Sequence, residues 1–106
     1  MSDVVARVLE ALNAKDVDAF VACYGEDATI EDGYDNVRAS GHDGIRALYA
    51  AMFERFPDVR VEAGCRTNAG EFVVQEETVT GRAGHEQHVA VYQVADGVIV
   101  RERLLA

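Results

Sequence analysis

Cations, cysteine and long apolar runs are scarce in this chain of 106 residues, and each scarcity excludes something. Lys15 is the one lysine, the arginines are scattered, and nineteen acidic residues bring the net charge to −9. A phosphate backbone is held by clustered Lys and Arg, so the balance argues against a nucleic-acid partner and equally against an anionic membrane surface. Cys23 and Cys65 are far apart in apolar patterns and read as two small buried hydrophobes rather than a disulfide. No run is long or apolar enough to span a bilayer. The N-terminus MSDVV lacks the basic region and apolar run of a signal peptide, so a cytoplasmic protein is expected. There is no Gly-rich phosphate loop, no G-x-S-x-G and no Cys-x-x-Cys. Nucleotide, serine-nucleophile and iron–sulfur chemistry are therefore without support. HEQH at 85–88 lacks the helical HExxH pattern. On a strand a spacing of three puts His85 and His88 on opposite faces, so neither a metal nor a cofactor is expected. Without repeats, low-complexity stretches or linkers, residues 1–106 read as one domain with one core.

What is present is 49% hydrophobic and 27% charged, ordinary for a globular chain. Val4, Val5, Val8, Leu9 and Leu12 recur at helical spacing, so a first helix spans roughly Asp3 to Asn13, capped by Ser2 or Asp3. Asp16 caps a second, short helix through Val17, Phe20, Val21 and Tyr24, with Gly25 placed to end it. A strand follows at about Ala28 to Asp32, then a loop from Gly33 to Gly41 carrying Tyr34, Asp35 and Arg38. Ile45, Leu48, Tyr49, Met52, Phe53 and Phe56 form one apolar stripe of a third helix, which Pro57 stops.

The remainder reads as antiparallel hairpins. Val59, Val61, Ala63 and Cys65 alternate with Arg60, Glu62, Gly64 and Arg66. Turns at Asn68-Ala69-Gly70, Gly81 to Gly84 and Asp96-Gly97 separate strands over Glu71–Thr80, Gln87–Ala95 and Val98–Leu105. Helices followed by hairpins make an α+β domain. Three N-terminal helices would pack in the concave face of a curved, mostly antiparallel sheet, leaving a cone with a pocket inside. The strand from Gln87 is apolar on both faces. Val89, Val91 and Ala95 would need cover, and a homodimer is the expected means.

Side chains two apart share a strand face, so Asp32 points the way Ile30 points, inward. A carboxylate facing an apolar interior needs a reason, and its raised pKa would suit a general base. His88 shares a face with Ala90 and is expected to point into the pocket as donor or base, or to be a hydrogen-bonded core histidine. Tyr24 and Tyr49 lie on core-facing helix stripes with hydroxyls that need partners, either a ligand oxygen or Asp32. Glu76 and Glu77 face opposite sides, which makes one of them a candidate second inward carboxylate beside Asp32; the alternative is one toward solvent and one toward the dimer interface or sheet edge. Arg101 and Arg103 share a face and are expected to pair with these acids. Arg46 and His42 read as surface.

VVARVLEALNAKDVDAFVACYGEDATIEDG followed by SGHDGIRALY resembles the start of the bacterial ketosteroid isomerases, in the nuclear-transport-factor-2-like and SnoaL-like group. The resemblance runs from about Val4 to Phe56, and YQVADGVIVRERLL is similar to the group's final hairpin. It implies the same α+β cone. It implies that Asp32 stands where those enzymes carry the aspartate that moves a proton between two carbons. Their two oxyanion donors, a tyrosine and a protonated aspartic acid, fall at Val8 and Ala90, so both are missing here. Tyr24 and Tyr49 match two supporting tyrosines.

The resulting expectation is cofactor-independent acid–base chemistry on a small hydrophobic carbonyl compound. Asp32 is the base, Tyr24, Tyr49 or His88 the donors, and Val8, Phe20, Ile30, Met52, Phe53 and Ala90 the binding surface. The alternatives are a small hydrophobic ligand held without turnover, or an interaction domain using the outer sheet face.

Overall fold

Asp3 opens the first helix, its carboxylate accepting from the backbone N–H groups of Val5 and Ala6, as an N-cap must. The structure, a computed structural model, describes residues 3–33, 36–82, 84 and 86–105. Ser2, Tyr34, Asp35 and His85, singled out above, lie outside the described residues. Helix α1 runs Val4–Ala14 and α2 Val17–Ala22, with Asp16 capping α2 through Ala19. Lys15, in the left-handed conformation, turns the chain between them. An isolated helix as short as α2 would not form in water. Burial of Val5, Val8 and Phe20, worth roughly 1.5–3 kcal/mol each, holds the hairpin together.

The second helix ends earlier than expected. Cys23 caps it in a right-handed conformation, and strand β1 already begins at Tyr24 and runs to Asp32. Gly25 is therefore a strand residue packed against Val98 and Val100, and Tyr24 belongs to the sheet. The expected loop contains a strand, β2, at Asn36–Ser40, leading directly into helix α3 at Gly41–Arg55. Ile45, Tyr49 and Phe53 form its buried stripe, with Leu48, Met52 and Phe56 partly buried beside it.

Strands β3 (Arg60–Ala69), β4 (Phe72–Thr80), β5 (Glu86–Ala95) and β6 (Val98–Leu105) complete the fold. The curved six-stranded sheet has the order β2-β1-β6-β5-β4-β3, antiparallel except where β1 meets β6. Helices α1 and α3 rest on one face, touching β3 and β6, and β1 and β2, respectively. No helix among the described residues is long and apolar enough to cross a membrane.

Besides a break on β1 between Tyr24 and Thr29, three irregularities help decide which side chains face the helices. On β3, Gly64 and Cys65 together oppose the single Glu76, because Ala63 pairs with Glu77 and Arg66 with Gln75. On β6, Val100 is the extra residue, since Gln93 pairs with Arg101 and Val94 with Ile99. On β2 it is Arg38, since Ile30 pairs with Ala39 and Glu31 with Val37. One extra residue reverses the in–out alternation beyond it. Cys65 is consequently exposed rather than buried, and Arg66 turns inward to bond Gln75 and Asp3. Arg101 and Arg103 turn outward. They pair not with Glu76 or Glu77 but with Glu31, whose carboxylate accepts from Arg101 at 2.5 and 2.9 Å and from Arg103 at 3.1 Å. These guanidinium groups, Arg101 first, hold the Glu31 carboxyl down at about 2. Arg46 is exposed and paired with Asp18. His42 is tied to the Tyr24 carbonyl at 2.7 Å.

Candidate active site

Between the helices and the concave sheet face lies a cavity of about 520 Å³. Val8, Leu9 and Leu12 of α1, Phe20 of α2, and Leu48, Tyr49 and Met52 of α3 form its apolar wall. Phe20 stacks 4.3 Å from Tyr49 and 5.3 Å from Tyr24, centroid to centroid, so the tyrosine rings are fixed by packing. Of the expected binding residues, Val8, Phe20 and Met52 line this space. Ile30, Phe53 and Ala90 are instead packed in the core.

Two carboxyl groups form the polar floor. Glu102 of β6 is buried, and the Tyr24 hydroxyl donates to its Oε1 at 2.5 Å. Burial pushes the Glu102 carboxyl up to about 8, the nearby Glu77 adds to this, and the Tyr24 bond offsets part of it. At neutral pH Glu102 is therefore mostly a carboxylic acid, able to donate as well as accept. Glu77 of β4 is the inward member of its pair, while Glu76 is exposed. The Tyr92 hydroxyl donates to Glu77 Oε2 at 2.6 Å, Gln75 Nε2 donates to the same oxygen at 2.9 Å, and His88 Nε2 lies 2.9 Å from Oε1. A carboxylate only accepts, which assigns the proton to His88 Nε2. The chain continues outward through Gln75 to Arg66 and on to the Asp3 cap of α1.

The four sequence-derived catalytic candidates fall in different places. Tyr24, Tyr49 and His88 all line the cavity. Tyr24 is committed to Glu102 rather than to Asp32 or a ligand. Tyr49 is buried, and its hydroxyl has no hydrogen-bond partner among the described residues. Burial first, then the nearby Glu102 carboxyl, pushes its pKa above the ordinary phenol value, so it stays protonated and able to donate. Asp32 does share the inward face. It pairs in register with Leu104, as Ile30 does with Glu102, and both Asp32 and Leu104 line the cavity. It is nevertheless exposed, because it ends its strand at the cavity mouth, so the expected burial in an apolar interior is corrected. Glu102 was not anticipated. The available cue was an acid flanked by two arginines after three successive apolar residues, Val98 to Val100, where alternation has no unique reading.

Residues 5–102 match the sequence model of the SnoaL-like domain. Among solved structures, an uncharacterised cystatin-fold protein from Novosphingobium aromaticivorans is 27% identical, with a TM-score of 0.90 over 97% of this chain and 95% of that one. A candidate polyketide cyclase from Sinorhizobium meliloti is 22% identical, with a TM-score of 0.86 over 98% and 94%. A candidate ketosteroid isomerase from Kribbella flavida is 18% identical, with a TM-score of 0.80 over 95% and 73%. The last two establish the shared fold.

Proposed function

Because the chain belongs to the SnoaL-like domain family, we propose that its cavity performs cofactor-independent proton transfer on a small hydrophobic carbonyl compound, as isomerisation or ring closure. The observation that carries this reading is Glu102, a buried acid held neutral at the floor of an apolar cavity. Such a group donates a hydrogen bond to a developing enolate oxygen. Tyr49 is the second donor, its hydroxyl being uncommitted. Asp32 is the base. It stands one diagonal step from Glu102 across the β1–β6 pair, a separation of about 7–8 Å between such positions. That span admits a carbonyl with its oxygen on the donors and its α-carbon toward the carboxylate. Tyr24 positions Glu102. His88, backed by Glu77, is an additional proton carrier at the same wall.

The test is solvent-deuterium exchange of α-protons in a panel of cyclic ketones and enones, followed by NMR. Asp32→Asn is expected to abolish enzyme-dependent exchange. Tyr49→Phe is expected to slow it by about a hundred- to a thousandfold. Absence of exchange above buffer for every ketone would overturn the reading. The alternative of ligand holding without turnover draws on the exposure of Asp32. It is distinguished by phenol or naphthol binding that Asp32→Asn leaves unchanged, with no exchange at any pH.

A homodimer formed through the outer sheet face belongs to the same proposal. Val74, Val89, Val91 and Leu105 are only half-buried, and Phe72 and Val37 are exposed. Light scattering coupled to gel filtration at micromolar concentration is expected to give twice the chain mass. A monomer mass there would remove the dimer.

A further inference from the structure

The mouth of the cavity carries a charge opposite to that of the chain. Arg38, Arg55 and Arg82 line it against the carboxylates of Asp32 and Glu86, in a protein of net charge −9. Arg82 is spent on Glu86, with bonds of 2.9 and 3.1 Å. Arg46, Arg60, Arg66, Arg101 and Arg103 likewise each hold a carboxylate elsewhere. Arg7, Arg38 and Arg55 have no carboxylate partner among the described residues, although acids outnumber bases almost two to one. Arg7 lies on the outer side of α1, and the other two, Arg38 and Arg55, share this one opening.

Each is also placed there by a specific feature. Arg38 is the extra residue of the β2 bulge, opposite the Ile30–Glu31 step. Regular alternation would put it on the face away from Ala39, which is buried. The bulge re-aims it toward the cavity, a recurrent use of bulges beside binding sites. Arg55, in the last turn of α3, lays its guanidinium over the Phe56 ring at 5.2 Å, and Phe56 itself lines the cavity. This contact restricts the side chain before any ligand arrives. The positive charges of Arg38 and Arg82 reach inward far enough to act on the Tyr49 hydroxyl.

We propose that the ligand is an amphiphilic anion, its apolar body in the cavity and a carboxylate, or an acid of similar size, held at the mouth between Arg38 and Arg55. The inference rests on the cavity being a ligand site and not on its being catalytic. A guanidinium is matched to a carboxylate in shape and donor number, and at this opening two of them converge with no carboxylate on either among the described residues.

The experiment compares 2-naphthylacetic acid with 2-naphthylacetamide, matched in shape and differing in charge, by calorimetry at pH 7. The acid is expected to bind at least about tenfold more tightly than the amide. In Arg38→Gln/Arg55→Gln that preference is expected to collapse while amide affinity holds. Arg60→Gln, which removes the same charge at a distant surface pair, is expected to retain it. Equal binding of the two compounds, or a preference that survives the double substitution, overturns the proposal and leaves the cavity reading intact. Binding of neither compound overturns the proposal together with the ligand site, and the ketone-exchange assay then reports independently on catalysis.

Discussion

Gly81→Ala is expected to destabilise the protein by more than about 3 kcal/mol, the range reached only through named steric or burial defects. At this glycine φ is +77°, and an added Cβ would stand 2.0 Å from the Asp58 carbonyl oxygen, 2.5 Å from its carbon and 3.0 Å from Val59 N. All three atoms are backbone, so no side chain can swing away. The segment is also pinned. Val59 N–H donates to the Phe56 carbonyl at 3.0 Å, and the Val59 carbonyl accepts from Lys15. Gly70→Ala is the matched control. It has φ of +60° but nothing within 4 Å of its Cβ, so it bears only the backbone strain, about 1 kcal/mol. Thermal unfolding followed by circular dichroism should separate the two by at least about 8 °C for a domain of this size. Equal losses would mean that the α3–β3 segment does not approach Gly81 as described.

Glu102→Gln should change the pH dependence of stability more than any other single substitution at the site. The folded carboxyl ionises near 8 and the unfolded one near 4.5, so between those values the native state holds the extra proton. The stabilisation from this group is complete below 4.5 and is lost as pH rises through about 8, where an ion must be buried. The gap corresponds to on the order of 4–5 kcal/mol. The amide keeps a carbonyl acceptor for Tyr24 and has nothing to ionise. Urea unfolding should therefore find wild type and variant similar at pH 4 and the variant several kcal/mol more stable at pH 9. A constant difference across that range would show that Glu102 is not held neutral, and the donor assigned to it would be lost. Glu31 acts in the opposite sense. Its carboxyl, held down by arginines, stabilises above 4.5 and gives that up as pH falls toward about 2, which bounds stability on the acid side.

The helices were legible because their signals are local. Asp3 and Asp16 cap where capping residues were read, the α1 stripe is buried, and the α3 stripe is buried at Ile45, Tyr49 and Phe53 and partly buried at Leu48, Met52 and Phe56. The inward direction of Asp32 was legible for a similar reason, since it stands only two positions from buried Ile30. Failures began where counting by twos crossed a bulge. The alternation that put Cys65 inside with Val61 is broken by the Gly64–Cys65 pair. The same counting put Arg101 and Arg103 toward the acids of β4, and Val100 reverses it, bringing Glu102 inside and the arginines out to Glu31. A bulge depends on the partner strand as much as on its own residues, so it leaves little mark in one strand's sequence. Tyr24 was misplaced by a different competition, Gly25 serving as a helix stop on paper and as a close-packed strand position in the fold. The site was thus half visible. Its tyrosines and His88 could be named, while the acid they surround could not.

Lys15 has a practical consequence. Its ammonium group donates to the Val59 and Asn13 carbonyls and lies 5.9 Å from the centre of the Phe53 ring. As the chain's one lysine, it offers the only side-chain amine to acylating dyes, cross-linkers and surface coupling, and it is already employed as a strut between α1 and the chain entering β3. Conjugation there competes with Val59 for the same nitrogen and loosens the joint beside the cavity. The exposed thiol of Cys65, on the bulged strand at the sheet edge, is the handle that leaves the joint closed.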